Sequence, residues 1–373
     1  MLAVTGTKGK TTVCELLNFV LNEAGHKSVV SSTLRSERST PGRFALQKFL
    51  REAVNQKCEY AVVEMTSQAV LQYRHKFIKL EALIYTGIHP EHIEAHGSLE
   101  NYLEAKLAIA KVGPRIIVAN VDDEYGAQFL GYARPTNGEA TERKIGYSLS
   151  DWFTPSKVEG PGYKTKLLGD FNKLNVLAVA KLGLALGLPE QKVREAIKKF
   201  EGVPGRVEFV PNYLGIDVVV DYAHTPGSLE AMYKLFADRQ VIGVLGSCGG
   251  GRDRWKRPEF GKLADQYCAR IILTDEDPYD EDPKAIVDEI ATGITDKDKL
   301  EIELDRRVAI RKAIQYAISL PSPSPYAKGR AGEGIPIVLI TGKGTDSYIH
   351  GPKGHNLPWS DRKVAEEELA KVR

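Results

Sequence analysis

Residues 6–12 read Gly-Thr-Lys-Gly-Lys-Thr-Thr, an order equipped to hold a polyphosphate. Gly6 and Gly9 let backbone N–H groups turn inward around phosphate oxygens. Lys10 would reach the terminal phosphates and Thr11 would offer its hydroxyl to Mg²⁺, with Thr7, Lys8 and Thr12 completing the loop. The longer Walker spacing would need Gly where Val4 stands, so this is a shortened GxxGKT form. Further on, VVEMTS ends an apolar run on Glu64, whose carboxylate suits Mg²⁺, a cation that takes hard oxygen ligands beside phosphates and water. The segment IHPEHIEAHGSLENYLEAK then gathers His89, His92 and His96 with Glu91 and Glu94. It is a poor zinc helix, because Glu94 stands one place late after His92 and Pro90 discourages a helix through its start.

These groups need elements that bring them together. Residues 2–5 read as a strand breaking into the Gly/Lys turn, followed by a helix over 12–24 with Cys14, Leu16, Leu17, Val20 and Leu21 at helical spacing and Gly25 as its stop. Further strands are expected at 60–63, 82–86 and 116–119, and Ser98 caps a helix running to 112. Apolar strands alternating with helices predict an α/β fold, and ligands collect at the C-terminal edge of such sheets. The stretch GVPGR at 202–206 marks a boundary after a helix at 190–200, giving domains 1–204 and 205–373. The second half repeats the alternation. It predicts strands at 217–220, 241–245, 271–274 and 337–341, helices at 228–237, 259–267, 283–292 and 306–318, and a Pro/Ser/Gly-rich loop at 320–334. A P-loop domain with a parallel sheet, followed by a Rossmann-like C-terminal domain, is the expected architecture.

Composition narrows the classes. The 373 residues, 42% hydrophobic and 27% charged, suit two or three globular domains. Lys and Arg total 51 against 49 Asp and Glu, a net +2, which argues against a polyanion coat. No basic stripe with interleaved aromatics suggests nucleic acid. Cys14, Cys58, Cys248 and Cys268 form no CxxC pair, which predicts a reducing, cytoplasmic setting. No signal sequence and no run of ~20 apolar residues is present, so no membrane contact is expected, and the chain is read as a monomer.

The motifs together resemble the Mur ligases, ATP-dependent amino acid-adding enzymes of cell-wall precursor synthesis. GTKGKTT, the Glu64 strand end and EHIEAHGSLENYLEAK look like that family's ATPase centre. GDFNKLN (169–175), GVPGRVE around Arg206, DYAHTP (221–226), GSCGGGRDRWKRP (246–258) and ITGKGTD (340–346) follow its order, closest to the tripeptide-forming, MurE-type branch. The resemblance implies ATP and two Mg²⁺ ions as cofactors. It places Asn172, Asn175, Arg206 and Asp221 on the nucleotide, His92 on the second magnesium, and Lys106 where the family carries a carbamylated lysine. Lys10, Lys106 and His92 are the implied catalytic residues, and Thr11, Glu64, His92 and carbamylated Lys106 the metal ligands. Candidate substrate contacts are Thr40, Ser67, Arg74, His224, Asp277, Tyr279 and Asp346. The expected partners are a small-molecule acceptor and an amino acid.

Two departures matter. The family normally carries a further N-terminal, UDP-gripping domain, whereas this chain begins almost on the phosphate-loop strand, so a fragment, an acceptor bound without that domain, and an acceptor that is not UDP-linked are all open expectations. Diaminopimelate-adding members carry DNPR and GKGHE, where this chain has Asp277-Pro278-Tyr279 and Gly342-Lys343-Gly344-Thr345-Asp346. The clamp Arg is absent. Asp277 and Asp346, with Asp275, Glu276 and Asp280, are expected to form an acidic patch suited to lysine or ornithine. Similarly, the family's Ser-Ser-His segment reads Thr66-Ser67-Gln68 here. The competing readings are a folylpolyglutamate or cyanophycin-type ligase and a non-catalytic nucleotide-binding subunit.

Overall fold

In the computed structural model, residues 1–35, 40–89, 96–134, 144–153, 155–156, 160–251, 253–321 and 334–372 are described. They divide into two compact units, Met1–Gly202 and Val203–Arg373, each built as an α/β sandwich. Among the described residues no helix is long and apolar enough to cross a membrane.

The first unit is organised by six strands: β1 (Leu2–Thr5), β2 (Ser28–Ser31), β3 (Tyr60–Glu64), β4 (Ala82–Tyr85), β5 (Ile116–Asn120) and β6 (Lys144–Tyr147). They pair in the order β2-β3-β1-β4-β5-β6, all parallel. Strands β1, β4 and β5 are buried along their whole length, as parallel strands covered on both faces must be. Chain direction across the sheet reverses at β1, which puts the 6–12 loop at the switch point where doubly wound sheets open a crevice. Helix α1 (Lys10–Glu23) follows directly. It starts earlier than its apolar spacing suggests because Gly9, left-handed at φ 79°, serves as its N-cap and makes Lys10 and Thr11 its first turn. Helices α2 (Arg43–Asn55), α3 (Ser67–Leu71), α4 (Leu99–Ala110), α5 (Gly126–Leu130), α6 (Asp170–Ala185) and α7 (Glu190–Lys199) complete the unit, beside a small pair, β7 (Pro155–Ser156) with β8 (Gly160–Pro161). Ser98 caps α4 as expected, its hydroxyl accepting from the Asn101 amide at 3.1 Å.

The second unit orders its sheet β13-β12-β11-β14-β10-β9. The strands are β9 (Glu208–Phe209), β10 (Asp217–Val220), β11 (Val241–Leu245), β12 (Arg270–Leu273), β13 (Leu300–Ile302) and β14 (Ile337–Ile340). Only β9 runs antiparallel, an edge strand on an otherwise parallel sheet. Helices α8 (Pro226–Leu235), α9 (Lys256–Tyr267), α10 (Pro283–Ala291), α11 (Arg306–Ser319) and α12 (Asp361–Ala370) cover it, and β15 (Tyr348–His350) pairs with β16 (Asn356–Pro358) as a hairpin. α11 and α12 are joined by a fully buried fork in which Arg306 Nε and Nη2 each donate to Asp361 at 2.8 Å. The same guanidinium donates to the Thr341 and Asp275 carbonyls. It thereby fixes the C-terminal ends of β14 and β12, where the GKG and acidic segments begin.

Of the loop expected at 320–334, residues 322–333 lie outside the described residues.

Candidate active site

The phosphate loop of the first unit is closed by contacts that leave no room for side chains. Gly6 stands at φ 145°, and a Cβ there would lie 2.0 Å from Thr86 Oγ1; a Cβ on Gly9 would lie 2.4 Å from Asn175 Oδ1. Both positions therefore demand glycine, for backbone conformation as well as space. The Thr7 amide donates to the Gly87 carbonyl at 2.8 Å, and Thr86 Oγ1 donates to the Lys8 carbonyl at 2.6 Å. The end of β4 thus staples the loop after β1. Lys10 Nζ folds back onto the Thr7 carbonyl at 2.8 Å.

Beneath the loop lies the expected metal pair. The β1–β3 register sets Val4 opposite Glu64, and Thr11 Oγ1 donates to Glu64 Oε2 at 3.0 Å. Thr33 adds its amide at 3.1 Å and its hydroxyl at 3.0 Å to the same oxygen. Glu64 is 2% exposed and, among the described residues, has no cationic partner. Buried carboxylates are paired or coordinate metals, so the Thr11–Glu64 set of hard oxygens fits Mg²⁺. Thr33 gave no signal in the sequence beyond following β2; it reaches Glu64 because β2 lies beside β3.

Three candidate substrate residues gather around Glu64. Thr40 Oγ1 donates to the Glu64 carbonyl at 2.7 Å and accepts from the Thr66 amide at 3.1 Å. Arg74 Nη1 donates to the Thr40 carbonyl. Ser67 opens α3, with Oγ 3.1 Å from His96 Nε2. The His96 ring stands edge-on to Tyr102 at 5.1 Å, and the Tyr102 hydroxyl lies 3.0 Å from Thr7 Oγ1. Burial, then the Lys106 charge, lowers the His96 pKa, which leaves a neutral imidazole beside Ser67.

Lys106 projects from α4 into the same centre. It is 1% exposed; Nζ donates to the Gly6 carbonyl at 2.7 Å and lies 4.6 Å from the Tyr102 ring centroid. His92, the proposed second metal ligand, falls within 90–95 and lies outside the described residues. Asn172 and Asn175 share the buried face of α6, linked by a 3.0 Å bond from Asn175 Nδ2 to Asn172 Oδ1. Asn175 is the residue that walls Gly9.

In the second unit, Asp221 directly follows β10, accepting the Val207 and Ala223 amides at 2.7 Å each. Burial raises its pKa against the opposing pull of Arg206. Arg206 lies over the Tyr222 ring at 4.3 Å, and His224 Nδ1 is 2.7 Å from the Tyr222 carbonyl oxygen. The acidic segment departs from expectation. Asp277 and Asp346 are not an open patch, because Lys343 of the GKG element, itself 1% exposed, donates to them at 2.7 and 2.9 Å. Two nearby carboxylates in a buried site need such a countercharge, and a count of acids along the chain misses it. Asp277 Oδ1 also accepts the His350 amide at 2.8 Å. Tyr279, held at φ 50°, stacks on His350 with ring centroids 5.4 Å apart and planes 7° from parallel.

The chain matches the family profile of the Mur ligase middle domain over residues 4–183 and that of the Mur ligase glutamate ligase domain over 205–344. It is 33% identical to the UDP-N-acetylmuramoyl-L-alanyl-D-glutamate--2,6-diaminopimelate ligase of Aquifex aeolicus, over 99% of this chain and 77% of that protein. The protein of that name from Syntrophomonas wolfei is 32% identical over 99% and 78%. A solved structure of a ligase of that name, 27% identical, superposes with TM-score 0.65 over 100% of this chain and 78% of that one. A Mycobacterium tuberculosis folylpolyglutamate synthase complexed with ADP, at 17% identity, shares the fold with TM-score 0.67, over 91% and 87%.

Proposed function

The chain belongs to the Mur ligase family, and on that premise we propose that it joins the amine of a diamino acid to a carboxylate of a cell-wall-precursor acceptor, consuming ATP. The observation that supports this most is the buried Thr11–Glu64 pair beneath a phosphate loop whose two glycines admit no side chain. An acceptor carboxylate oxygen attacks the γ-phosphorus, the bond to ADP breaks, and an acyl phosphate forms. The amine then attacks its carbonyl carbon, and the tetrahedral intermediate expels phosphate and loses a proton to give the amide.

Each step crowds anionic oxygens, so positive charge and donors must be fixed in advance. The loop amides and Lys10 would bind the phosphates, and Asn172, Asn175, Arg206 and Asp221 are assigned to the nucleotide. Mg²⁺ would supply further charge neutralisation, one ion held by Thr11 and Glu64 and a second by His92 with a carbamylated Lys106. Thr40, Ser67 and Arg74 are assigned to the acceptor, and His224, Asp277, Tyr279 and Asp346 to the amino acid. Since Lys343 already neutralises Asp277 and Asp346, those acids hold shape more than they attract a cation. A distal carboxylate, by contrast, meets Tyr279 where the family's clamp has Arg. L-Lysine or L-ornithine is therefore the proposed co-substrate over diaminopimelate.

The test is ATP-dependent product formation, read by mass, with UDP-linked and UDP-free muramoyl-dipeptide acceptors and each diamino acid at equal concentration. An amide product with ADP release is expected, with higher kcat/KM for lysine or ornithine. No product from any pair would reject the ligase reading, and a clear preference for diaminopimelate would reject the amino acid assignment. Glu64→Ala is expected to shift half-maximal activity to at least about tenfold higher magnesium, since it deletes the one anionic ligand of the Thr11 site. Superimposable magnesium curves for parent and variant would show that Glu64 holds no ion.

A further inference from the structure

Glu64 is tied down by one of its two carboxylate oxygens. Thr11 Oγ1, the Thr33 amide and Thr33 Oγ1 all donate to Oε2, at 3.0, 3.1 and 3.0 Å, more donors than that oxygen has lone pairs. Among the described residues nothing donates to Oε1. Oε2 is therefore saturated, and Oε1 keeps its full capacity for a ligand.

Thr33 supplies two of the three donors, although it belongs to neither the phosphate loop nor β3. What places it is a turn gripped at both ends. Ser31 of β2 stands opposite Val63 of β3, so the chain leaving β2 comes level with Glu64, and the Arg35 amide donates to the Ser32 carbonyl at 3.0 Å to close a turn over 32–35. Glu15 of α1 takes both ends of that turn. Its Oε1 accepts from Ser32 Oγ at 2.6 Å and from Arg35 Nε at 3.0 Å, and its Oε2 accepts from Arg35 Nη2 at 2.7 Å. Ser32 is fully buried and Glu15 is 8% exposed, so this is a two-pronged, charge-assisted grip on the turn. Glu15 follows Thr11 by four residues, which sets both on one face of α1. That face reaches Glu64 twice, directly through Thr11 and again through the Glu15-held turn and Thr33.

We propose that Thr33 is a positioning residue for the Thr11–Glu64 magnesium site, saturating Oε2 so that Oε1 is the oxygen left for the ion, and that the Glu15–Arg35 pair holds the turn that presents Thr33. A free glutamate side chain loses rotamer freedom when an ion binds, whereas one already tied has lost it on folding. Groups that orient a metal ligand in this way typically govern metal affinity by about 10- to 100-fold. The inference rests on the ligase reading and adds to it the residues that order its first metal site.

The probe is Mn²⁺, which takes the same hard oxygen ligands as Mg²⁺, titrated into the whole chain with one equivalent of a non-hydrolysable ATP analogue and followed by loss of the free-ion EPR signal. Glu64→Ala, run in parallel, identifies the binding that belongs to this site. Thr33→Val keeps the branched shape and the amide but deletes the hydroxyl, and is expected to weaken that binding about tenfold, whereas Thr33→Ser, which restores the hydroxyl, should stay within about twofold of the parent. Glu15→Gln keeps the shape and removes the charge that holds Arg35, with an expected loss of about threefold. Affinity for the analogue without divalent ions should not change in any of them. Equal Mn²⁺ affinity of Thr33→Val and the parent would overturn the proposal, as would Thr33→Ser binding as weakly as Thr33→Val. A melting temperature several degrees lower for Thr33→Val in EDTA would make Thr33 a packing residue and overturn it too. Parental affinity in Glu15→Gln would overturn the part given to the Glu15–Arg35 pair. These outcomes leave the ligase reading standing. Glu64→Ala binding Mn²⁺ as the parent does, or a parent that binds neither Mn²⁺ nor the analogue, would instead remove the metal assignment in that reading and the inference with it.

Discussion

Lys10→Ala is expected to lower ATP-dependent ligation by about 10³-fold or more while leaving the fold intact. Lys10 opens α1 directly after Gly9, and Nζ bonds the Thr7 carbonyl across the loop. Its ammonium is thus held over the loop that would receive the phosphates. Removing one preorganised group that faces developing charge costs ~10²–10³ in rate where a neutral donor is lost, and a full charge opposite a transferring phosphoryl group is worth at least as much. The structural cost is small: one partly buried hydrogen bond, about 1 kcal/mol. The measurement pairs single-turnover phosphoryl transfer with a melting curve. A folded variant that still forms product at near-parental rate would remove the phosphate loop from the mechanism.

What the sequence made legible was local or carried by a run of residues. GTKGKTT between strand and helix specified the loop, and apolar alternation specified α/β, because a buried parallel strand and an amphipathic helix each write their period into consecutive residues. Ser98 as the cap of α4 was readable for the same reason. Pairings across the sheet were less so. Thr33 and Glu64 are brought together by β2–β3 adjacency, and nothing in the STL segment advertises a ligand. The Lys343 bridge was hidden more thoroughly. Charges counted along 275–280 show only acids, whereas the fold delivers Lys343 from a segment 66 residues away and buries it between Asp277 and Asp346.

Lys106 carries the last prediction: it is carbamylated, and Lys106→Ala is nearly inactive yet partly rescued by short carboxylates. A buried ammonium 2.7 Å from the Gly6 carbonyl adds to the positive charge of Lys10 but can hold no metal. Carbamylation replaces that charge with an anion able to bind Mg²⁺ and still leaves one N–H on Nζ, so the bond to Gly6 survives the modification. The Tyr102 ring beside Nζ and its hydroxyl on Thr7 would keep the modified side chain in place. Rescue discriminates between roles, because acetate or formate can replace a missing carboxylate but not a missing ammonium. The checks are ¹³C NMR after equilibration with labelled bicarbonate, looking for a carbamate resonance absent from the alanine variant, and activity of that variant titrated with acetate. No such resonance together with full activity of Lys106→Ala would defeat the assignment. Loss of activity that no carboxylate restores, with no resonance in the parent, would make Lys106 a cation that braces the loop through Gly6.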